Sequence, residues 1–309
     1  MANFKTLAKR EEKYKKFESG HSLCEGCGLP IAVRTILNSI DGSVVASNAT
    51  GCLEVATTRY PTTAWNIPWI HNAFENAAAT ISGVESAYRS LKRKGKLDGE
   101  TTFVAFAGDG GTYDIGLQSL SGALERGHKF LYVTLDNGAY MNTGIQRSSA
   151  TPKGASTTTE PAGKVTYGKE RQRKNLTEIV AAHEIPFVGQ ASISNLTDLS
   201  DKVEKAVAKD GPSFLNVLST CQLGWRVPPS DAVNIAKKGV ETCYWPLYEV
   251  DEGKYEVTYE PSEKLPVEEW LKPQKRFAAL FKTGNEEILK EIQEDVDRDW
   301  KRLKAKASL

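Results

Sequence analysis

The sequence predicts an α/β chain, a mostly parallel sheet with helices on both faces and an irregular C-terminal extension. Three observations carry that expectation. Residues 102–107 and 130–135 are short apolar runs with the length of buried strands. Between them Ile115, Leu117, Leu120, Ala123 and Leu124 recur at helical spacing, and Gly127 stands where a helix stops. Strand and helix signals then alternate from residue 29 to residue 220, the rhythm of βα units.

The elements follow in order. Residues 29–41 read as a helix, with Pro30 suited to its first turn. A strand at 43–48 delivers Thr50-Gly51-Cys52, and 57–69, rich in Thr, Pro and Trp, reads as an ordered loop. An Ala-rich stretch, 71–93, fits a long helix whose basic C-terminal end complements its dipole. After the central strand–helix–strand unit comes 144–174, long, aperiodic and polar, placed to be an active-site or interface loop. A helix near 175–183, a strand at 187–192, a helix at 195–209 and a strand at 213–220 close the series. Residues 230–283 read as an irregular aromatic wrap, and 286–304 as a charged amphipathic helix. With no repeat and no composition break, 1–309 is expected to be a single domain with an N-terminal arm (about 1–18) and a wrapping extension (about 230–309).

Composition narrows the function classes. With 40 basic and 39 acidic residues, nothing suggests a nucleic acid or an anionic membrane as partner. No apolar run approaches the ~20 residues that span a bilayer. Residues 1–16 are polar and basic, without the apolar core of a secretory signal, so a cytoplasmic protein is expected.

Chemistry concentrates at two strand ends. The first central strand runs into Gly108-Asp109-Gly110-Gly111, the second into Asp136-Asn137-Gly138-Ala139. Ligands of parallel sheets bind at carboxyl ends of strands. Glycines there let backbone N–H groups approach phosphate, and hard oxygens hold Mg²⁺. A tight strand-to-helix turn alone would also explain the glycines; the carboxylate inside the turn and the Asp-Asn echo favour a diphosphate–metal site.

The five cysteines form a second constellation. Cys24 and Cys27 make a Cys-x-x-Cys pair among glycines, Cys52 and Cys221 each end a strand, and Cys243 sits in an apolar aromatic setting that suggests packing. Four thiols and a spectator suit either structural zinc or an iron–sulfur cluster. Zinc thiolates commonly arrive as two close pairs, whereas one pair joined by two strand-end cysteines beside a diphosphate site favours a redox cluster.

A Gly-Asp-Gly turn separated by 26 residues from Asn137 resembles the thiamine diphosphate (TPP) motif. With the cysteine segments 20–28 and 49–55, and with 61–65, 68–78, 140–148, 151–152, 211–212 and 241–247, the chain resembles the β-subunit of 2-oxoacid:ferredoxin oxidoreductases over nearly its whole length. The matching branch contains pyruvate:ferredoxin oxidoreductase and oxalate oxidoreductase. The resemblance implies a TPP diphosphate-binding domain in which Asp109, Asn137 and the Ala139 carbonyl hold Mg²⁺. It implies that Gly51, Cys52, Gly108, Asp109, Gly110, Asn137, Asn142 and Thr143 surround TPP, with Asn142 the catalytic side chain facing the thiazolium. Cys24, Cys27, Cys52 and Cys221 are the implied ligands of one [4Fe–4S] cluster.

The implied partners are an α-subunit carrying the pyrimidine-binding domain and the catalytic Glu, further subunits with ferredoxin-type clusters, and ferredoxin. The implied reaction is oxidative decarboxylation of a small, pyruvate-like 2-oxoacid. Pyruvate enzymes of this branch often carry Glu where Gly138 stands and Trp where Ser156 stands. Those departures, expected to flank the substrate face, keep CoA-independent oxidation of oxalate as the alternative. A non-redox TPP enzyme half and a zinc-stapled scaffold are the remaining rivals.

Overall fold

The computed structural model describes residues 15–309. Most of the expected N-terminal arm lies outside them. Its last residues are anchored, with Phe17 buried against Trp65 and His21.

The first helix among the described residues is α1 (Leu29–Asn38), which buries Leu29, Ala32, Val33, Ile36 and Leu37 along one stripe. Strand β1 (Ser43–Ala49) leads into the short α2 (Cys52–Thr57), then a loop and β2 (Trp69–Asn72). The long helix α3 is Ala77–Arg93, not 71–93. Its expected first turn is the missed strand β2 and a turn, four edge residues too few to show a period. Strand β3 (Thr101–Gly108) passes into a π-helical turn (Gly110–Ile115) and then α4 (Leu117–Glu125). Ile115, counted above on the apolar face, points outward because the wide turn rotates it off the stripe. Next come β4 (Leu131–Asp136), a segment without helix or strand over 144–174, α5 (Leu176–Ala181), β5 (Phe187–Ser192), α6 (Leu196–Ala208) and β6 (Ser213–Leu218). Asn175 and Asn195 cap α5 and α6, each accepting an N–H from the residue three positions on.

Beyond the short α7 (Gln222–Trp225), the C-terminal extension is not irregular. It holds α8 (Ala232–Glu241), the strands β7 (Leu247–Asp251) and β8 (Lys254–Tyr259), α9 (Glu268–Leu271) and, beyond a 3₁₀ turn at Lys275–Phe281, α10 (Glu286–Ala307). The β7–β8 hairpin turns through Glu252-Gly253, both at positive φ as a primed turn requires. Its strands alternate in the sequence, a signal that the surrounding aromatic residues obscured.

All eight strands form one sheet, ordered β2-β1-β3-β4-β6-β5-β7-β8. The first six run parallel and the last two antiparallel. Every residue of β4, β5 and β6 is buried, so both faces of the sheet are covered. The expectation of a mostly parallel α/β sheet holds. After β1 the chain steps outward to β2 and then crosses back to β3. The crevice between β1 and β3 is therefore the topological switch point, where open α/β sheets bind ligands.

The hairpin is tied down by one buried ion pair. Lys202 donates to both carboxylate oxygens of Asp198 at 2.6 Å and to Thr258 of β8 at 2.8 Å. Removing one partner leaves a desolvated charge, so Asp198→Ala is expected to destabilise the chain by ~3–5 kcal/mol. The double variant Asp198→Leu/Lys202→Met is expected to regain most of that loss, as read by urea denaturation.

Candidate functional site

Strands β1, β3, β4 and β6 are adjacent and parallel, so their carboxyl ends share one edge of the sheet. Those ends deliver Cys52, Asp109, Asn137 and Cys221 in that order. Gly51, Cys52, Gly108, Asp109, Gly110, Asn137, Asn142 and Thr143 line a single cavity of about 50 Å³, with Ala139 among its walls.

The glycines divide by cause. A Cβ on Gly110 would stand 2.2 Å from the ring of Tyr140, whose hydroxyl donates to the Gly110 carbonyl at 2.9 Å. A Cβ on Gly111 would meet the Phe74 carbonyl at 2.8 Å. These glycines are required by packing. Gly51 and Gly108 differ, since no protein atom lies within 4 Å of either missing Cβ and neither adopts a left-handed φ. Both face the cavity, so their bareness suits the close approach of a ligand.

The oxygens converge beside them. Asp109 is fully buried and accepts from Ser148 Oγ at 2.5 Å and from the Asn137 N–H at 3.4 Å. Burial, then the charge of Asp136, pushes its carboxyl well above the usual range, so it calls for a cation or a proton. One terminal atom of the Asn137 amide lies 3.0 Å from Asp109 Oδ1 and 3.0 Å from the Ala139 carbonyl oxygen. As NH₂ it donates to both. As oxygen it gives two O···O edges that fit an octahedron with metal–oxygen bonds of ~2.1 Å, whose edge is ~3.0 Å. The donor set fits Mg²⁺, and both orientations bring together the three residues the sequence singled out.

Turn geometry holds that trio. Asp136 accepts the Gly138 N–H at 3.0 Å and is itself held by Tyr113 at 2.6 Å and Arg173 at 2.7 Å. The Asn137 carbonyl accepts from Trp225 Nε1 at 2.6 Å. The long segment 144–174 reaches back to the site through Ser148 and Arg173, as its position suggested, and Lys169 fastens it by donating to the Thr151 carbonyl at 2.5 Å.

Cys24, Cys27, Cys52 and Cys221 line a second cavity of about 430 Å³, which meets the first at Leu29, Cys52, Asn137 and Asn142. The segment bearing the Cys-x-x-Cys pair is laid across the sheet edge. Ser22 N–H donates to the Ala56 carbonyl at 2.8 Å, and Gly28 N–H to the Thr220 carbonyl at 2.9 Å, one residue before Cys221. Gly26 has φ +68°, and a Cβ there would strike the Pro229 carbonyl oxygen at 2.5 Å. All four thiols are unpaired. Burial pushes Cys27 up to about 12 and Cys52 up to about 11, with the neighbouring cysteines adding to both. Asn142 opposes this at Cys52 by hydrogen bonding to the sulfur, and the Gly224 N–H does so for Cys221 at 3.3 Å. Cys243, the expected spectator, lines neither cavity.

Gly138 and Ser156, expected to flank the substrate face, line neither cavity. A Cβ on Gly138 would point inward, 3.0 Å from Arg276 Nη1, and Ser156 N–H donates to the Arg276 carbonyl at 2.8 Å. Both departures surround Arg276 because the 3₁₀ turn of the C-terminal extension packs behind the metal loop. Ser148, Tyr140, Trp225, Arg173 and Arg276 escaped the sequence reading, since only the fold brings them here. Another cavity, about 470 Å³, lies beneath α10; of the five cysteines it takes only Cys243, and none of the metal trio, so chemistry and not size marks the site. Among the described residues no helix is long and apolar enough to cross a membrane.

Comparison with known proteins agrees with this geometry. Residues 49–217 match the family model of the thiamine pyrophosphate enzyme C-terminal TPP-binding domain. The chain is 55% identical over 308 residues to the pyruvate synthase subunit PorB of Thermotoga maritima, covering 97% of this chain and 95% of that protein. It is 51% identical to PorB of Methanocaldococcus jannaschii, covering 90% of this chain and 94% of that protein, and 41% identical to the ketoisovalerate oxidoreductase subunit VorB of Pyrococcus abyssi, covering 96% and 94%. A solved 2-oxoglutarate:ferredoxin oxidoreductase from Magnetococcus marinus shares the fold, with a TM-score of 0.56 at 20% identity over 73% of this chain and 81% of that one. With the fold, the strand-end trio and these relatives in agreement, the chain belongs to the β-subunit family of 2-oxoacid:ferredoxin oxidoreductases.

Proposed function

We propose that this chain is the diphosphate-binding half of a pyruvate:ferredoxin oxidoreductase, completed by an α-subunit that brings the pyrimidine-binding domain and its Glu. The observation that carries the reading is the contact of the two cavities at Cys52, Asn137 and Asn142, which sets a metal–diphosphate site against a ring of four thiols. Residues Gly51, Gly108 and Gly110 would offer backbone to the diphosphate, while Asp109, Asn137 and the Ala139 carbonyl would hold Mg²⁺. Cys24, Cys27, Cys52 and Cys221 would hold a [4Fe–4S] cluster. When bound, TPP supplies the carbon nucleophile and electron sink for decarboxylating a 2-oxoacid, and the cluster supplies a one-electron acceptor. Asn142 stands at the junction, its amide against Cys52, where it can orient a substrate carbonyl and a cluster ligand together. Clusters in further subunits would pass electrons to ferredoxin, in the cytoplasm.

Four thiols lining a cavity of about 430 Å³ suit a group of several metal atoms better than a single zinc with ~2.3 Å bonds. Pyruvate is favoured over oxalate because the PorB relatives are pyruvate synthase subunits, while a side chain at Gly138, one of the departures that suggested oxalate, would point at Arg276.

The intact complex is expected to reduce a viologen dye anaerobically with pyruvate and CoA, faster than with 2-oxobutyrate, 2-oxoisovalerate, glyoxylate or oxalate; reduction by none of them would refute the assignment. Asp109→Ala is expected to abolish TPP retention while leaving iron content intact, and loss of both would mean misfolding. Gly108→Ala should leave the melting temperature within about 2 °C yet weaken TPP at least tenfold by calorimetry, because its Cβ meets no protein atom. Gly110→Ala should lower stability itself by ~1–3 kcal/mol, by driving its Cβ into Tyr140.

A further inference from the structure

Arg276 is a buried cation that pairs with no carboxylate among the described residues. It is 3% exposed, and its Nε donates to Gln274 Oε1 at 2.9 Å. Its guanidinium lies over Trp225 at 4.2 Å and Phe277 at 4.9 Å from the ring centroids, with Trp270 at 5.8 Å. Asp136, whose charge acts on Arg276, is taken by Arg173 at 2.7 Å. The place where Arg276 could meet a side chain from the metal loop is Gly138, which offers none. Burial pushes its ionisation down to about 9, partly offset by Tyr244, Cys221, Asp136 and Asp109. A desolvated charge with so little protein compensation is costly unless an anion stands nearby.

The surroundings say which anion. Trp225, on which the guanidinium rests, closes the short helix that begins at Cys221, its N–H donating to the Cys221 carbonyl at 2.9 Å. The indole of the same Trp225 donates to the Asn137 carbonyl at 2.6 Å. Arg276 thus backs the wall shared by the two cavities. On the metal side Mg²⁺ would already offset Asp109. On the thiol side four thiolates around a cluster leave net negative charge, which grows when the cluster takes an electron.

We propose that Arg276 is a fixed counter-charge for the cluster site, stabilising the reduced cluster bound by Cys24, Cys27, Cys52 and Cys221 and so raising its reduction potential. The inference rests on the cluster reading above. A cation in a low-dielectric wall favours whichever redox state carries more negative charge, and that is the reduced one. Arg276 touches no reacting atom; it tunes through its field.

The test is an EPR-monitored redox titration of the intact complex, this chain's cluster being the component lost in Cys27→Ser. Arg276→Gln is expected to move that midpoint to more negative potential, with about a tenfold change in the oxidised-to-reduced ratio at fixed potential, or about 59 mV for one electron. Arg276→Lys, which keeps the charge and loses the planar stack, is expected to stay near wild type. It also supplies the reading if the Gln variant loads no iron, since a Lys midpoint shifted as far as tenfold would show that stacking and not charge sets the potential. An unchanged midpoint in iron-replete Arg276→Gln, or equal shifts in both variants, overturns the proposal. If Cys27→Ser removes no cluster component, the cluster assignment itself fails, a result separate from any outcome at Arg276.

Discussion

The backbone pairing of β1, β3, β4 and β6 is the constraint on which the rest depends. Parallel ladders fix neighbouring strands ~4.8 Å apart, so the ends of β1 and β6 stand ~14 Å from one another. Asp109 and Asn137 fall between them because β3 and β4 do. No strand-end pair could bring Cys52 and Cys221 around a common cavity unaided. The segment from Ser22 to Gly28 solves this by lying across the edge, hydrogen-bonded at one end beside α2 and at the other beside Cys221. The Cys-x-x-Cys pair is therefore both a donor of two thiols and the strap that closes the gap between the other two.

That arrangement concentrates charge which the fold must then balance. Asp109 and Asp136 are buried on neighbouring strand ends, and the charge of Asp136 adds to the cost of ionising Asp109. Arg173 answers Asp136 directly, stacked on Trp245 at 4.5 Å from the ring centroid. Among the described residues Asp109 has no such partner, and its Oδ1 lies at the Asn137 amide that also reaches the Ala139 carbonyl, the condition a divalent cation requires. Aromatic faces carry the guanidinium groups throughout this wall, since stacking a weakly hydrated planar cation costs less than burying an ammonium.

The sequence revealed those parts of the fold that obey a period, and missed those that depend on neighbours. The strands at 187–192 and 213–218 announce themselves as unbroken apolar runs because both their faces are covered. Strand β2 was missed because Trp69-Ile70-His71-Asn72 is too short for alternation and half exposed. The hairpin at 247–259 was legible in principle, in its alternation and its Glu-Gly turn. At the site, Asp109, Asn137 and the four cysteines were readable because their side chains carry the chemistry. Ser148 and Arg173 were not, lying 39 and 37 residues from the aspartates they hold, within a segment that has no period. Gly138 shows why adjacency in sequence does not give direction, since in a turn at φ +77° a Cβ there would point at Arg276.

What remains at the opening strand-end turn is a distinction between two kinds of glycine. Gly110 and Gly111 are small because protein already fills the space beside them, and Gly108 and Gly51 are small with nothing beside them at all. A fold has no internal reason to leave two bare backbone positions facing one cavity. Their cost in chain entropy, ~0.5–1 kcal/mol each relative to alanine, is offset only when something else comes close. The two bare glycines of this cavity point the same way, toward a ligand that comes within contact of the backbone at the ends of β1 and β3.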